Sequence, residues 1–338
     1  MTKLNTVSIA IANEIYGFGH LKRMVVLNNY LNKNNINNDI ICFTNTRKKL
    51  KKNIFKINCA SINNLVSIIE NKTVFFDISN SKFLSTKIYR DLIINLKRTK
   101  FRPIFFDSLD KNMLNSINYL DRNNIVVSPY FLKKIDYKYY QNTNFFIGPE
   151  YFLSNKIYKN TNQKKILKKI FISCGGLDKT NKTSQIAKTI CEEDNNFEIH
   201  IIIGPLFSKK NIERINNLKK YHKIKIYKNI NNITKISKLC DLAIVSSGLT
   251  KYEMLFSKIN LAVFCEDKNQ LKINKYFMKK KFSYDLSTFK NNIELKKKIK
   301  KLFVNYIKIY KEINHNREKK YNMTFKFNKI IDSLKKLN

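Results

Sequence analysis

Twice along this chain a short apolar run ends in a glycine turn and passes into an amphipathic segment. Residues 7–12 lead through Gly17-Phe18-Gly19 into residues 21–31, and residues 169–174 lead through Gly175-Gly176 into residues 183–191. More apolar runs of strand length follow each start: 39–43, 73–77, 103–107, 124–127 and 145–147 in the first half, then 197–203, 224–227, 242–245 and 261–265 in the second. Helical patterns such as residues 85–96 separate them. Runs this apolar, spaced by helices, predict parallel strands covered on both faces. The expectation is an α/β fold of two Rossmann-like domains facing a cleft. Residues 1–150 form the first domain in this reading. Residues 151–165, polar and Lys/Asn-rich over most of their length, form a linker. Residues 166–292 form the second domain, and 293–338 a set of Lys-rich C-terminal helices.

The formal charge of +40 invites a nucleic-acid or anionic-membrane reading. Its make-up argues against nucleic acid. Only 8 of the 65 basic residues are Arg, the usual reader of bases and phosphates, and the lysines are spread along the whole chain. Abundant Lys, Asn and Ile, with only 7 Gly and 4 Pro, is what A/T-rich codons give under any function. No apolar stretch reaches the roughly 18 to 20 residues of a spanning helix. The N-terminus lacks the basic-then-apolar plan of a signal peptide. Six scattered cysteines with no CxxC pair read as buried thiols, not as disulfides or a zinc site. The expectation is a soluble cytoplasmic protein without a bound metal or cofactor, its charge attracting anionic substrates and leaving room for peripheral contact with a membrane surface.

Four polar motifs fall at predicted strand ends. Gly17-Phe18-Gly19-His20 opens a helix, where free backbone N–H groups and the helix dipole suit an anion. It has neither the third glycine of the dinucleotide fingerprint nor the Gly-Lys-Ser/Thr of a P-loop. His20 brings a ring able to accept a proton near neutral pH. Gly175-Gly176 would let the backbone approach a diphosphate. Ser246-Ser247-Gly248 follows the run 242–245 and offers hydroxyl and N–H donors, with Glu253 a turn or two further on, placed to accept both hydroxyls of a ribose. Asn269 and Gln270 follow the run 261–265. Each motif alone is also what an ordinary capped turn looks like. Asp77 and Asp107 close β runs at the carboxyl end, where open α/β sheets place ligands.

Taken in order, Gly-Phe-Gly-His-x-Lys-Arg, Gly-Pro-Glu-Tyr, Ser-x-Gly-Gly-x-Asp, Ser-x-x-x-x-x-x-Glu and Asn-Gln resemble the PseG/SpsG family. That family is known for hydrolysing UDP-2,4-diacetamido-2,4,6-trideoxy-β-L-altropyranose in pseudaminic acid biosynthesis, and it is related to GT-B glycosyltransferases of the MurG type. The matching stretch runs from Gly17 to Gln270. The resemblance implies a GT-B-like fold with UDP held mainly by the second domain. It makes His20 the residue that positions or activates the attacking water. It places Gly17 and Gly19 beside the diphosphate, Ser246, Ser247 and Gly248 on phosphate, Glu253 on ribose, and Asn269 and Gln270 in the cleft. Arg23, Asp77, Gly175 and Gly176 complete the expected substrate-binding set. Where the family has Asp-x-Tyr, this chain has Asp77-Ile78-Ser79, which leaves the sugar open.

The expected reaction is attack of water on the anomeric carbon of a UDP-linked deoxy amino sugar, releasing UDP. A diphosphate is a weak base, so its departure needs no general acid, in contrast to cleavage between sugars. A GT-B glycosyltransferase, with an acceptor hydroxyl in place of water, is the alternative. A non-catalytic binding protein for nucleic acid or an anionic surface is the second.

Overall fold

The computed structural model describes residues 5–13, 15–16, 18–44, 54–57, 62–107, 111–130, 140, 142–153, 166–228, 230, 232–320 and 326–336. The chain divides into two compact units, Met1–Lys156 with Thr324–Asn338, and Ile157–Met323.

Seven parallel strands form the sheet of the first unit: β1 (Thr6–Ile11), β2 (Asn38–Phe43), β3 (Ile54–Ile57), β4 (Thr73–Asp77), β5 (Arg102–Phe106), β6 (Asn124–Ser128) and β7 (Thr143–Ile147), in the order β3-β2-β1-β4-β5-β6-β7. Five helices accompany them: α1 (Gly19–Lys33), α2 (Ile62–Ile69), α3 (Ser81–Leu84), α4 (Lys87–Arg98) and α5 (Lys111–Leu120). The two-residue period of the strands sorts the core into two layers. Val7, Ile9 and Ile11 pack with Leu65 and Ile69 of α2, Leu92 and Leu96 of α4, and Met113 and Ile117 of α5. Ala10 and Ala12 face the other way, towards Met24, Leu27 and Leu31 of α1. Small alanines on that side leave room for the helix that carries His20.

The second unit repeats the plan with β8 (Lys169–Ser173), β9 (Glu198–Ile203), β10 (Ile224–Lys228), β11 (Leu242–Ser246), β12 (Asn260–Phe264) and β13 (Tyr284–Ser287), ordered β10-β9-β8-β11-β12-β13. Its helices are α6 (Lys182–Glu193), α7 (Lys209–Lys219), α8 (Thr234–Ser237), α9 (Thr250–Phe256), α10 (Lys268–Lys279), α11 (Asn292–Val304) and α12 (Tyr306–Lys320). The last helix, α13 (Phe327–Lys336), belongs to the first unit. There Phe327, Ile330 and Ile331 enter the layer that holds α1, and the Phe327 ring stacks 6.1 Å from that of Phe106.

The strand order reverses between β1 and β4 in the first sheet and between β8 and β11 in the second. At such a switch point the connections leave in opposite directions, so a crevice opens beyond the carboxyl ends of the two strands. The ends of β1, β4, β8 and β11 and the loops that follow them therefore matter most, and all four places carry expected site residues.

Three expectations change. Strands β3 and β13 are additional to those read from the sequence. Residues 293–338 are not one segment: α11 and α12 complete the second unit and α13 the first. Of the expected linker 151–165, Tyr151 ends a 3-10 turn (Pro149–Tyr151), and Phe152 and Leu153 are buried in the first unit; residues 154–165 lie outside those described.

Candidate active site

Strand β1 ends where Asn13 takes over the backbone. Its buried side-chain Oδ1 accepts from Ile15 N at 2.9 Å and Tyr16 N at 2.8 Å, an Asx-type turn that redirects the chain towards α1. Helix α1 begins at Gly19 with no side-chain cap. His20 and Arg23 lie three residues apart on it, hence on one face. Across the switch point Asp77, the last residue of β4, has no exposure at all.

These three side chains form one hydrogen-bonded set. His20 Nδ1 lies 2.7 Å from Asp77 Oδ1. Arg23 grips the same carboxylate with Nε to Oδ2 at 2.5 Å and Nη2 to Oδ1 at 2.7 Å, the two-pronged geometry that a planar guanidinium permits. Arg23 Nη2 also donates to Asp107 Oδ2 at 3.2 Å, and Tyr130 Oη donates to that oxygen at 3.0 Å. Asp107 follows β5 with φ at +57°, a left-handed backbone that Asp adopts more readily than most residues. Arg23 Nη1 is buried with no hydrogen-bond partner among the described residues.

Burial alone would raise the Asp77 carboxyl, but the charges of Arg23 and His20 and the hydrogen bonds from both outweigh it and hold Asp77 below the usual carboxylate range. Asp107 moves the other way. Burial raises it, the negative charge of Asp77 adds to the rise, and Arg23 offsets only part. Burial would lower the Arg23 guanidinium, but the two carboxylates more than reverse that. Asp77 is thus an anion, and His20 meets it through Nδ1. That assigns the Nδ1 proton to the bond with Asp77 and leaves Nε2 out of that bond.

In the second unit Gly175, two residues past the end of β8, takes φ +71°. Gly204, after β9, lies against the carbonyl oxygens of Gly175 and Gly176, so near that a Cβ at 204 would overlap them. Asp178 closes the loop: its Oδ1 accepts from Lys182 N at 2.8 Å, and its Oδ2 from Thr183 N and Asn211 Nδ2, each at 2.9 Å. After β12, Glu266 receives the Cys174 thiol at 3.2 Å and Lys179 N at 3.1 Å. Burial raises the Cys174 thiol well above its usual value and also raises Glu266. Cys174, Asp178 and Glu266 could in principle surround a metal ion. Their oxygens are already engaged by protein donors and the thiol keeps its proton, which makes the trio a hydrogen-bonded brace for the glycine loop.

The structure brings His20, Arg23 and Asp77 together, and adds Asp107 and Tyr130. Arg23 and Asp77 are buried and paired with each other, so their contact is with His20 more than with any surface. Gly19 is exposed at the start of α1, while Gly17 lies outside the described residues. Gly175 is half-buried and Gly176 exposed. Ser246 and Ser247 are buried, and Gly248 and Glu253 half-buried. The side-chain oxygen of Gln270 accepts from Glu266 N at 3.1 Å, a local brace at the start of α10, whose N-cap is Asp267. Asn269 lies in the first turn of α10. Tyr130 carries no motif, whereas Asp107, at the end of the strand beside β4, could have been found by treating the two strand ends as one place.

No family model matches the chain. It is 32% identical over 287 residues to an uncharacterized protein, MJ1062, of Methanocaldococcus jannaschii; the match takes in 78% of this chain and 56% of that protein, so the chain spans about half the length of this relative. Solved structures match nearly end to end at low identity. MurG of Acinetobacter baumannii aligns with a TM-score of 0.63 at 10% identity, over 98% of this chain and 99% of its own. A glycosyltransferase of Rickettsia africae aligns at 0.61 and 14% identity, over 99% of each chain. S. aureus MnaA, solved with UDP, aligns at 0.59 and 11% identity, over 92% of this chain and 91% of its own. The fold shared across these structures, two Rossmann-like domains built on parallel sheets, makes this chain GT-B-like.

Proposed function

We propose that the chain is a nucleotide-sugar enzyme that hydrolyses a UDP-linked deoxy amino sugar, with His20 as the general base. The observation that carries this reading is the 2.7 Å bond from His20 Nδ1 to an Asp77 carboxylate that Arg23 keeps ionised. A histidine held this way, at the switch point of a Rossmann-like sheet, has its ring oriented and its second nitrogen left basic.

In the proposed step the water oxygen bonds to the anomeric carbon as the bond from that carbon to the diphosphate oxygen breaks. The electron pair leaves with UDP, and the water proton passes to His20 Nε2. Asp77 stabilises the imidazolium that forms, without itself taking the proton. The glycine loop at Gly175-Gly176 and the turn Ser246-Ser247-Gly248 supply backbone and hydroxyl donors for the diphosphate, and Glu253 takes the ribose hydroxyls. The likeness to a UDP-bound structure supports the choice of nucleotide, and the motif order supports hydrolysis.

Incubation with a panel of UDP-linked deoxy-diacetamido sugars, without acceptor, tests the proposal. UDP and free sugar in equal amounts support it. UDP release only when an acceptor hydroxyl is added would instead make the chain a glycosyltransferase.

A further inference from the structure

The second unit buries a lysine that the proposed chemistry does not use. Lys251, in the first turn of α9, has 0% exposure. Its Nζ donates to Ser247 Oγ at 3.0 Å and to Asn274 Oδ1 of α10 at 3.3 Å. The rings of Phe277 and Tyr252 lie 4.9 and 5.3 Å from it. The Cys265 thiol after β12, pushed up to about 11 mainly by burial, feels the lysine's charge in the opposite direction. The ammonium therefore sits beneath the turn after β11, within reach of the end of β12 and of α10.

Removing an ammonium from water is costly, and the field of a buried charge is screened far less than that of a surface lysine. Here the charge is sited next to a turn at the β8/β11 switch point. Ser247 Oγ already accepts from Nζ, so its one proton must find another acceptor. Among the described residues it reaches the Gln270 carbonyl at 3.4 Å, a long bond, and it also bears on the Cys265 sulfur. On the other side of Lys251, Asn274 Nδ2 is buried without a partner among the described residues. An anionic oxygen arriving at the turn would gain both from the charge below it and from the loosely held Ser247 proton.

We infer that Lys251 is the electrostatic anchor for the diphosphate of the nucleotide, acting from beneath the Ser246-Ser247-Gly248 turn through Ser247. The inference rests on the reading that this unit binds a nucleoside diphosphate. It makes Lys251 a positioning residue, distinct from surface lysines whose effect salt would erase.

Titration of the full chain with UDP by calorimetry, and with uridine by ligand-observed NMR, tests it alongside thermal melts. Lys251→Met takes the donor from the buried Ser247 hydroxyl and Asn274 amide oxygen, so the melts should show a modest loss of stability in a chain that still folds. It should bind UDP at least tenfold more weakly and uridine, which lacks the phosphates, within twofold of the wild type. Asn274→Asp keeps the lysine, neutralises it with an adjacent carboxylate and should also weaken UDP; it decides the matter should Lys251→Met not fold. UDP affinity within twofold of wild type in both variants overturns the inference, as does an equal loss for UDP and uridine. A wild type that binds no UDP overturns the nucleotide reading and takes the inference with it.

Discussion

Nδ1 of His20 lies 2.7 Å from Oδ1 of Asp77, so a residue at the start of α1 is oriented by the end of β4, 57 positions along the chain. Asp77→Asn keeps the shape but replaces an anion that must accept from Nδ1 with an amide able to offer a donor instead. The ring can then take the other tautomer and lose its basic Nε2. We expect kcat to fall by about 100- to 10,000-fold with KM changed far less. Steady-state kinetics on the substrate found in the acceptor-free screen will check this.

Arg23 is the partner that makes a fully buried Asp77 tolerable. Arg23→Met would leave that carboxylate in the core with only a histidine beside it. Loss of one member of a buried ion pair costs about 3–5 kcal/mol, because the other member remains uncompensated. Urea melts should show this loss. Tyr130→Phe removes one donor to Asp107, which stays partly exposed at 18%, and should cost only about 1 kcal/mol. The contrast separates a structural keystone from a peripheral hydrogen bond in the same cluster.

The two aspartates give opposite pH signatures. Asp77 is held below its ordinary value, so its contribution is present above the unfolded carboxylate value, about 4, and is lost as pH falls through its folded value. Asp107 is raised, so its contribution is complete below about 4 and is lost as pH rises through its folded value. The stability gap between wild type and Asp107→Asn should therefore narrow as pH climbs from about 4, at a slope of up to ~1.4 kcal/mol per pH unit. The gap to Asp77→Asn should widen as pH rises towards that same value. Denaturant melts in steps of half a pH unit will show whether the two trends diverge.

Much of this was legible in the sequence because apolar runs closed by a polar residue mark both a buried strand and its functional end. The run 73–77 matches β4 in full and delivers Asp77. Strand β13, Tyr284–Ser287, is short, polar at Asp285 and Ser287, and lies at the sheet edge, so it has no apolar run to announce it. The spacing of Phe327, Ile330 and Ile331 marks an amphipathic helix, but not that its partners are Tyr30 and Phe106, hundreds of residues away. The Arg23 bridge was hidden for the same reason: which two strand ends share a guanidinium depends on strand order, and the order β1-β4-β5 skips two strands of the chain.

Gly204 tests the glycine loop of the second unit. A methyl group there meets the Gly175 and Gly176 carbonyls, both backbone atoms, so either the loop or the end of β9 must move. We expect Gly204→Ala to cost about 2 kcal/mol or more. If the loop holds the diphosphate, UDP affinity should fall beyond what partial unfolding explains, as calorimetry on the folded fraction will report.

The most direct test compares wild type and His20→Ala on one UDP-linked deoxy amino sugar without acceptor, with UDP release followed in time and the free sugar identified by NMR. The account predicts stoichiometric release by the wild type and a loss of at least about 100-fold in His20→Ala, with the melting temperature retained. Undiminished release by His20→Ala, or no release by the wild type across the substrate panel, would contradict it.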